Sequence, residues 1–218
     1  MNAEYGAFLR LSNVMRALAV ILVTALLLCG AASAAPPIRL LAFGDSLTAG
    51  YGLPPDAAFP AQLEKALRAR GLNVTVINAG VSGDTTAAAL SRLDWALADK
   101  PTHAIVELGA NDMLRGLPPE QARANLDAIL AKLKQAGIPV LLTGMQAAPN
   151  LGADYGRRFN SIYPDLAARY GLPLYPFFLD GVAAEPKLNL GDGMHPNREG
   201  VSVIVDRILP QILRFLGA

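Results

Sequence analysis

Four short, largely apolar runs, Ile38 to Phe43, Asn73 to Ile77, Ala104 to Leu108 and Val140 to Thr143, constrain this chain more than any other feature of it. Each is brief and apolar on both faces, the pattern of a strand buried in a parallel sheet rather than of one with a wet side. Leu174 to Pro176 is a weaker fifth candidate. Longer segments of helical period separate them. Phe59 to Arg70 carries Leu63, Ala66, Leu67 and Arg70 at helical spacing and stops at Gly71. Thr85 to Ala98 follows Asp84, a good N-cap, and Glu120 to Gln135 follows Pro118-Pro119 and ends near Gly137. Further helices are predicted from Tyr155 to Arg169 and from Glu199 to Leu216. Strand alternating with helix predicts an α/β chain, a three-layer α/β/α sandwich with right-handed crossovers, and 218 residues leave room for one such domain.

The residues before the first run read differently. Met15-Arg16 supplies one cation, Ala17 to Cys29 is apolar, and Ala32-Ser33-Ala34 has the small residues of an A-x-A site. Residues 1 to 34 are therefore expected to be a secretory signal peptide, with Met15 a possible true start, and residues 35 to 218 the mature domain. The apolar run falls short of the ~20 residues that span a bilayer, so no stable membrane anchor is expected after cleavage. Leu28 before Cys29 argues against lipid attachment there, and a chain starting at Ala35 has no cysteine and needs no disulfide. Export predicts a periplasmic or secreted protein. The net charge is +1 with no Lys/Arg run, which makes nucleic acid a poor partner. His103 and His195 are the only imidazoles, too few ligands for a transition-metal centre.

In an open parallel sheet, ligands bind at the carboxyl ends of the strands. Gly44-Asp45-Ser46 follows the first run, Asn78-Ala79-Gly80 the second, Gly109-Ala110-Asn111-Asp112 the third, and Gly191-Asp192-Gly193-Met194-His195-Pro196 comes late. Any one of these reads as a turn, and an isolated Gly-Asp-Ser is by default a cap. Brought to one crevice, they supply a hydroxyl, a backbone N–H at glycine, an amide and an Asp/His pair, the parts of nucleophilic acyl transfer.

GDSLTAGYG, NAGVSGDTT, GANDMLRG and DGMHP, in that order, resemble the four sequence blocks of the SGNH (GDSL-type) hydrolase family. RGLP, APNLGADYG and FFLDGVA further resemble its bacterial thioesterase I, arylesterase and lysophospholipase L1 subgroup. The resemblance covers nearly all of residues 35 to 218. It implies a flavodoxin-like sandwich with five parallel strands, no metal or organic cofactor, small-molecule or lipid ester substrates, and a monomer. It implies Ser46 as nucleophile, His195 as general base and then acid, Asp192 as the carboxylate holding the imidazole, and an oxyanion hole of the Ser46 and Gly80 backbone N–H groups with the Asn111 amide. The function implied is a broad-specificity serine esterase acting on aryl esters, thioesters and lysophospholipids through an acyl-serine. Carbohydrate O-acetyl esterase is one alternative. A non-catalytic flavodoxin-like binding module is another, and it would want a phosphate loop, which Ser46-Leu47-Thr48-Ala49-Gly50 only loosely provides.

Other residues carry blander expectations. Asp45 is read as accepting backbone N–H groups in its turn, Asp84 as a helix cap and Asp112 as a brace for its loop. His103 is placed at the start of a strand, Trp95 and Phe59 in packing, and the Asn73-Val74-Thr75 sequon inside a buried strand. Tyr51, Met113, Leu114 and Leu117 follow motif residues and are expected to line an apolar crevice mouth that takes the acyl group.

Overall fold

The computed structural model describes residues 36 to 218. Five parallel strands, β1 (Ile38–Gly44), β2 (Val74–Gly80), β3 (His103–Glu107), β4 (Val140–Thr143) and β5 (Leu174–Tyr175), form one sheet in the order β2-β1-β3-β4-β5. Its helices are α1 (Ser46–Ala49), α2 (Phe59–Arg68), α3 (Thr86–Leu97), α4 (Ala110–Leu114), α5 (Pro119–Gln135), α6 (Ala153–Asn160), α7 (Ile162–Tyr170) and α8 (Arg198–Leu216). The chain crosses from β1 to β2 in one direction and then through β3, β4 and β5 in the other. Right-handed crossovers therefore put α2 on one face and α3, α5 and α7 on the opposite one. The packing agrees: α2 lies against α8, and α5 against both α3 and α7. This is the three-layer sandwich expected.

The central strands earn their place by being apolar throughout. Leu40 to Phe43, Ala104 to Val106, and Leu141 and Leu142 are buried on both sides of the sheet. β2 is an edge strand and alternates buried with exposed residues. For that reason Asn73, expected inside a buried strand, is exposed just before β2, and Thr75 is exposed within it. β2 also runs on to Gly80, so Asn78-Ala79-Gly80 ends the strand instead of following it.

Three helix readings need correction. Thr85, not Asp84, caps α3 by accepting the Ala88 N–H; Asp84 pairs with Arg92. The single helix expected from Tyr155 to Arg169 is two, α6 and α7. Pro164 in the first turn of α7 has no N–H for the Asn160 carbonyl and its ring crowds that position, so the helix breaks before it. Trp95, expected to be packed, is 72% exposed on α3, whereas Phe59 is buried. His103 opens β3, edge-on to Phe215 and at the opposite end of the strand from the turns described next.

Candidate active site

Register brings the strand ends level. Gly44 of β1 pairs in line with Gly80 of β2 and with Glu107 of β3. The sheet order reverses at β1, so the crevice opens between β1 and β3, where an open sheet of this order holds its ligand. Ser46 emerges there as the first residue of α1, and Asn111 in the first turn of α4.

The late loop arrives over the same point. Ser46 Oγ lies 3.0 Å from His195 Nε2, and His195 Nδ1 lies 2.7 Å from Asp192 Oδ2. Asp192 Oδ1 accepts the backbone N–H groups of Met194 at 2.9 Å and His195 at 3.0 Å. Those backbone bonds, the His195 one first, and then the imidazole hold the Asp192 carboxyl down at about 2. An ionised Asp192 keeps the ring proton on Nδ1 and leaves the Nε2 lone pair facing the hydroxyl. The loop itself is fixed from behind. Leu190 N–H donates to the His195 carbonyl at 2.7 Å, and the Asn189 amide donates to Val182 and Glu185 carbonyls, each at 2.8 Å. The Tyr51 ring covers the imidazole at 4.4 Å between centroids.

Of the three expected oxyanion donors, two belong to residues that border the crevice. Ser46 N–H sits at the N-terminus of α1, and the Asn111 amide borders the same cavity as Ser46 and His195. Gly80 N–H is donated to Asn78 Oδ1 at 3.0 Å, so it reaches an oxyanion only if the Asn78 side chain yields. Gly80 is required for a second reason. A Cβ there would stand 2.2 Å from the Ala49 backbone nitrogen, so only glycine lets β2 end against α1. Arg92 of α3 ties the two strand ends together, donating Nη2 to the Gly44 carbonyl and Nη1 to the Ala79 carbonyl, with its guanidinium 4.5 Å from the Phe43 ring centroid.

Next to Ser46 lie two buried carboxyls. Asp45 accepts the Leu47 N–H at 3.0 Å through Oδ1 and the Asn111 Nδ2–H at 3.1 Å through Oδ2. Its role as acceptor in the turn is as expected; the Asn111 bond was not foreseen. Burial raises it to about 6. Glu107 accepts the Thr48 hydroxyl at 2.8 Å, leaves Oε1 without a partner, and is pushed well above the carboxylate range by burial and then by Asp45. Because Asp45 already occupies the N-terminus of α1, a nucleotide phosphate has no seat there, which removes the main support of the binding-module alternative. Asp112 braces as expected, accepting the Thr86 N–H at 2.8 Å and hydroxyl at 2.6 Å.

Ser46, Asn111 and His195 form one side of a cavity of about 310 Å³. Met113 and Leu114 line it as expected; Tyr51 is not among its lining residues and packs its ring against His195 instead. Leu117 does not line it; its backbone is held by the Asp112 carbonyl and the Tyr155 hydroxyl. Met145, Phe177, Leu179 and Met194 also line it and were missed. Met145 lies just past β4 and Phe177 just past β5, so extending the strand-end rule to those weaker turns would have found them. Among the described residues no three His, Cys, Asp or Glu side chains are grouped to hold a metal ion, and no helix is long and apolar enough to cross a membrane.

A sequence profile of the GDSL-like lipase/acylhydrolase family matches residues 42–203. The chain is 38% identical over 192 residues to the arylesterase of Vibrio mimicus, covering 88% of this chain and 96% of that one. It is 39% identical over 180 residues to thioesterase 1/protease 1/lysophospholipase L1 of Escherichia coli strain K12, covering 82% and 85%. The crystal structure of AlinE4, an SGNH-hydrolase family esterase, superposes with a TM-score of 0.71 at 52% identity, covering 85% of this chain and all of that one. The four motifs, the level strand ends and these likenesses agree: the chain belongs to the GDSL-like lipase/acylhydrolase family and is an ester-bond hydrolase.

Proposed function

We propose that the protein is a serine esterase of broad specificity, acting on aryl esters, thioesters and lysophospholipid-type esters, with Ser46, His195 and Asp192 as its catalytic residues. The relay from Ser46 Oγ through His195 to Asp192, at 3.0 and 2.7 Å, carries this reading. His195 Nε2 takes the Ser46 proton as Oγ attacks the ester carbonyl. The imidazolium, held by Asp192, then gives that proton to the leaving alcohol or thiol, and an acyl-serine remains. Water attacks it by the same path in reverse and releases the acid. Ser46 N–H and Asn111 Nδ2 carry the oxyanion, joined by Gly80 N–H when Asn78 turns away. The wall of Met113, Leu114, Met145, Phe177 and Leu179 suits an acyl chain better than a sugar ring, although Gln146 also lines the cavity. The N-terminal pattern read above supports export and a periplasmic or secreted site of action; residues 1 to 35, where it falls, lie outside the described structure.

The test is hydrolysis of p-nitrophenyl esters from acetyl to palmitoyl. Ser46→Ala and His195→Ala each lower kcat by roughly a million-fold, toward background. Full rate in Ser46→Ala would refute the serine mechanism. The lining separates the two loop leucines: Leu114→Ser lowers kcat/KM more for long than for short acyl chains, by about 0.8 kcal/mol per methylene no longer buried, whereas Leu117→Ser leaves the chain-length profile in place.

A further inference from the structure

Asp45 sits one residue before the nucleophile, fully buried, and spends both carboxylate oxygens on the site. One caps α1 at Leu47, which orients the turn that presents Ser46 N–H; the other takes a hydrogen of the Asn111 amide. We propose that Asp45 is a positioning residue for the oxyanion hole: its ionised carboxylate fixes the Asn111 amide with Nδ2 toward the crevice, and protonating Asp45 releases that amide. This rests on the serine-esterase reading above.

An amide is nearly symmetric in shape but not in polarity. Turned over, Asn111 would present its oxygen to the developing oxyanion, changing a donor into an acceptor. Its packing alone does not choose between the two orientations, whereas an anion bound to Nδ2 does. Glu107 explains how the carboxylate stays available. Two carboxyls this close and this buried do not both ionise, and Glu107, without a partner for Oε1, takes the proton. The other groups facing Asp45 are His195 from the late loop and Asp84 from the turn before α3, the latter neutralised by Arg92. Behind it stands Tyr163 of α7, a buried phenol donating to the Leu108 carbonyl at 3.0 Å. None of these supplies a cation in contact with Asp45, so burial outweighs them and its proton comes on at about 6.

The experiment is a double-mutant cycle of Asp45→Asn and Asn111→Ala with pH profiles, run beside Ser46→Ala. Asp45→Asn lowers kcat by roughly 10- to 100-fold with little change in KM, a share of what one oxyanion donor is worth. In the Asn111→Ala background the same change costs only about a few fold, because the group it positions is gone. The acid limb of kcat/KM in the wild type is steeper by one proton, that on Asp45, than the limb in Asp45→Asn. Additive losses across the cycle, or an acid limb of the same steepness in both proteins, overturn the proposal. Should Asp45→Asn fold poorly, Asp45→Ser with the same pH profile decides: a limb as steep as the wild type's overturns the proposal. Loss of activity in Ser46→Ala with an additive cycle defeats only the role of Asp45; full activity in Ser46→Ala defeats the serine reading itself.

Discussion

Three carboxyl side chains around Ser46 hold their protons differently, and burial decides which. Asp192, exposed and fed by two backbone N–H groups, has its affinity for a proton lowered to about 2. A depressed carboxyl adds stability above its ordinary range and loses it as pH falls through about 4 toward 2. Asp192→Asn should therefore destabilise the fold at neutral pH but not near pH 2, as followed by urea midpoints. Its kcat should fall roughly 10⁴-fold, because a neutral amide no longer holds the proton on Nδ1. Glu107 is the opposite case. A raised carboxyl favours the fold below its ordinary range and loses that contribution as pH rises toward its folded-state value. Glu107→Gln should consequently raise the thermal midpoint at pH 8, by an amount equivalent to about 0.5–2 kcal/mol, with the gain vanishing near pH 4. A gain of equal size at both pH values would refute that assignment. At this scale the sequence spoke well where a motif was rigid in spacing: Asp192 reaches His195 through one short turn. It was silent on Glu107 and on the Asp45 to Asn111 bond, since those partners are joined only by pairing β1 with β3.

Elements matter here through their ends. β1, β2 and β3 stop at one level, and Arg92 stitches the first two by their terminal carbonyls. Gly80→Ala forces α1 away from β2, since the added methyl would overlap the Ala49 backbone. Because α1 begins with Ser46, kcat should drop by at least about 100-fold, the usual cost of displacing a catalytic group by 1 Å, while the thermal midpoint falls by less than a core deletion would cause. Unchanged kcat in a folded Gly80→Ala protein would show that α1 is not positioned by this contact. Central strands were legible because they are apolar on both faces. The edge strand β2 was placed but its burial misjudged, since an edge alternates, and the break between α6 and α7 was missed because periodicity runs on through Ser161 while Pro164 forbids the bond.

Taken whole, residues 38 to 216 contain every described strand and helix and the full relay of the site. A chain beginning at Ala35 should accordingly fold and hydrolyse short p-nitrophenyl esters with the kcat/KM of the complete chain; a clear loss would mean that the leading residues contribute to the site. The three-layer architecture followed from strand and helix alternation alone, because crossover handedness leaves few ways to wind such a sheet. The cavity followed only in part: Met113 and Leu114 were read from the turn after β3, whereas Met145 and Phe177, just past β4 and β5, were not, because those turns carry no residue with acyl-transfer chemistry to draw attention to them.

The relay joins a hydroxyl at position 46 to an imidazole 149 residues later. Contacts of that sequence separation are among the last a chain closes, since the loop between them must be ordered first. On the serine-esterase reading, Ser46 has no base in any partly folded form whose His195 loop is undocked. In a refolding experiment the return of esterase activity would then time the docking of that loop, making the enzyme its own clock for a late step of assembly.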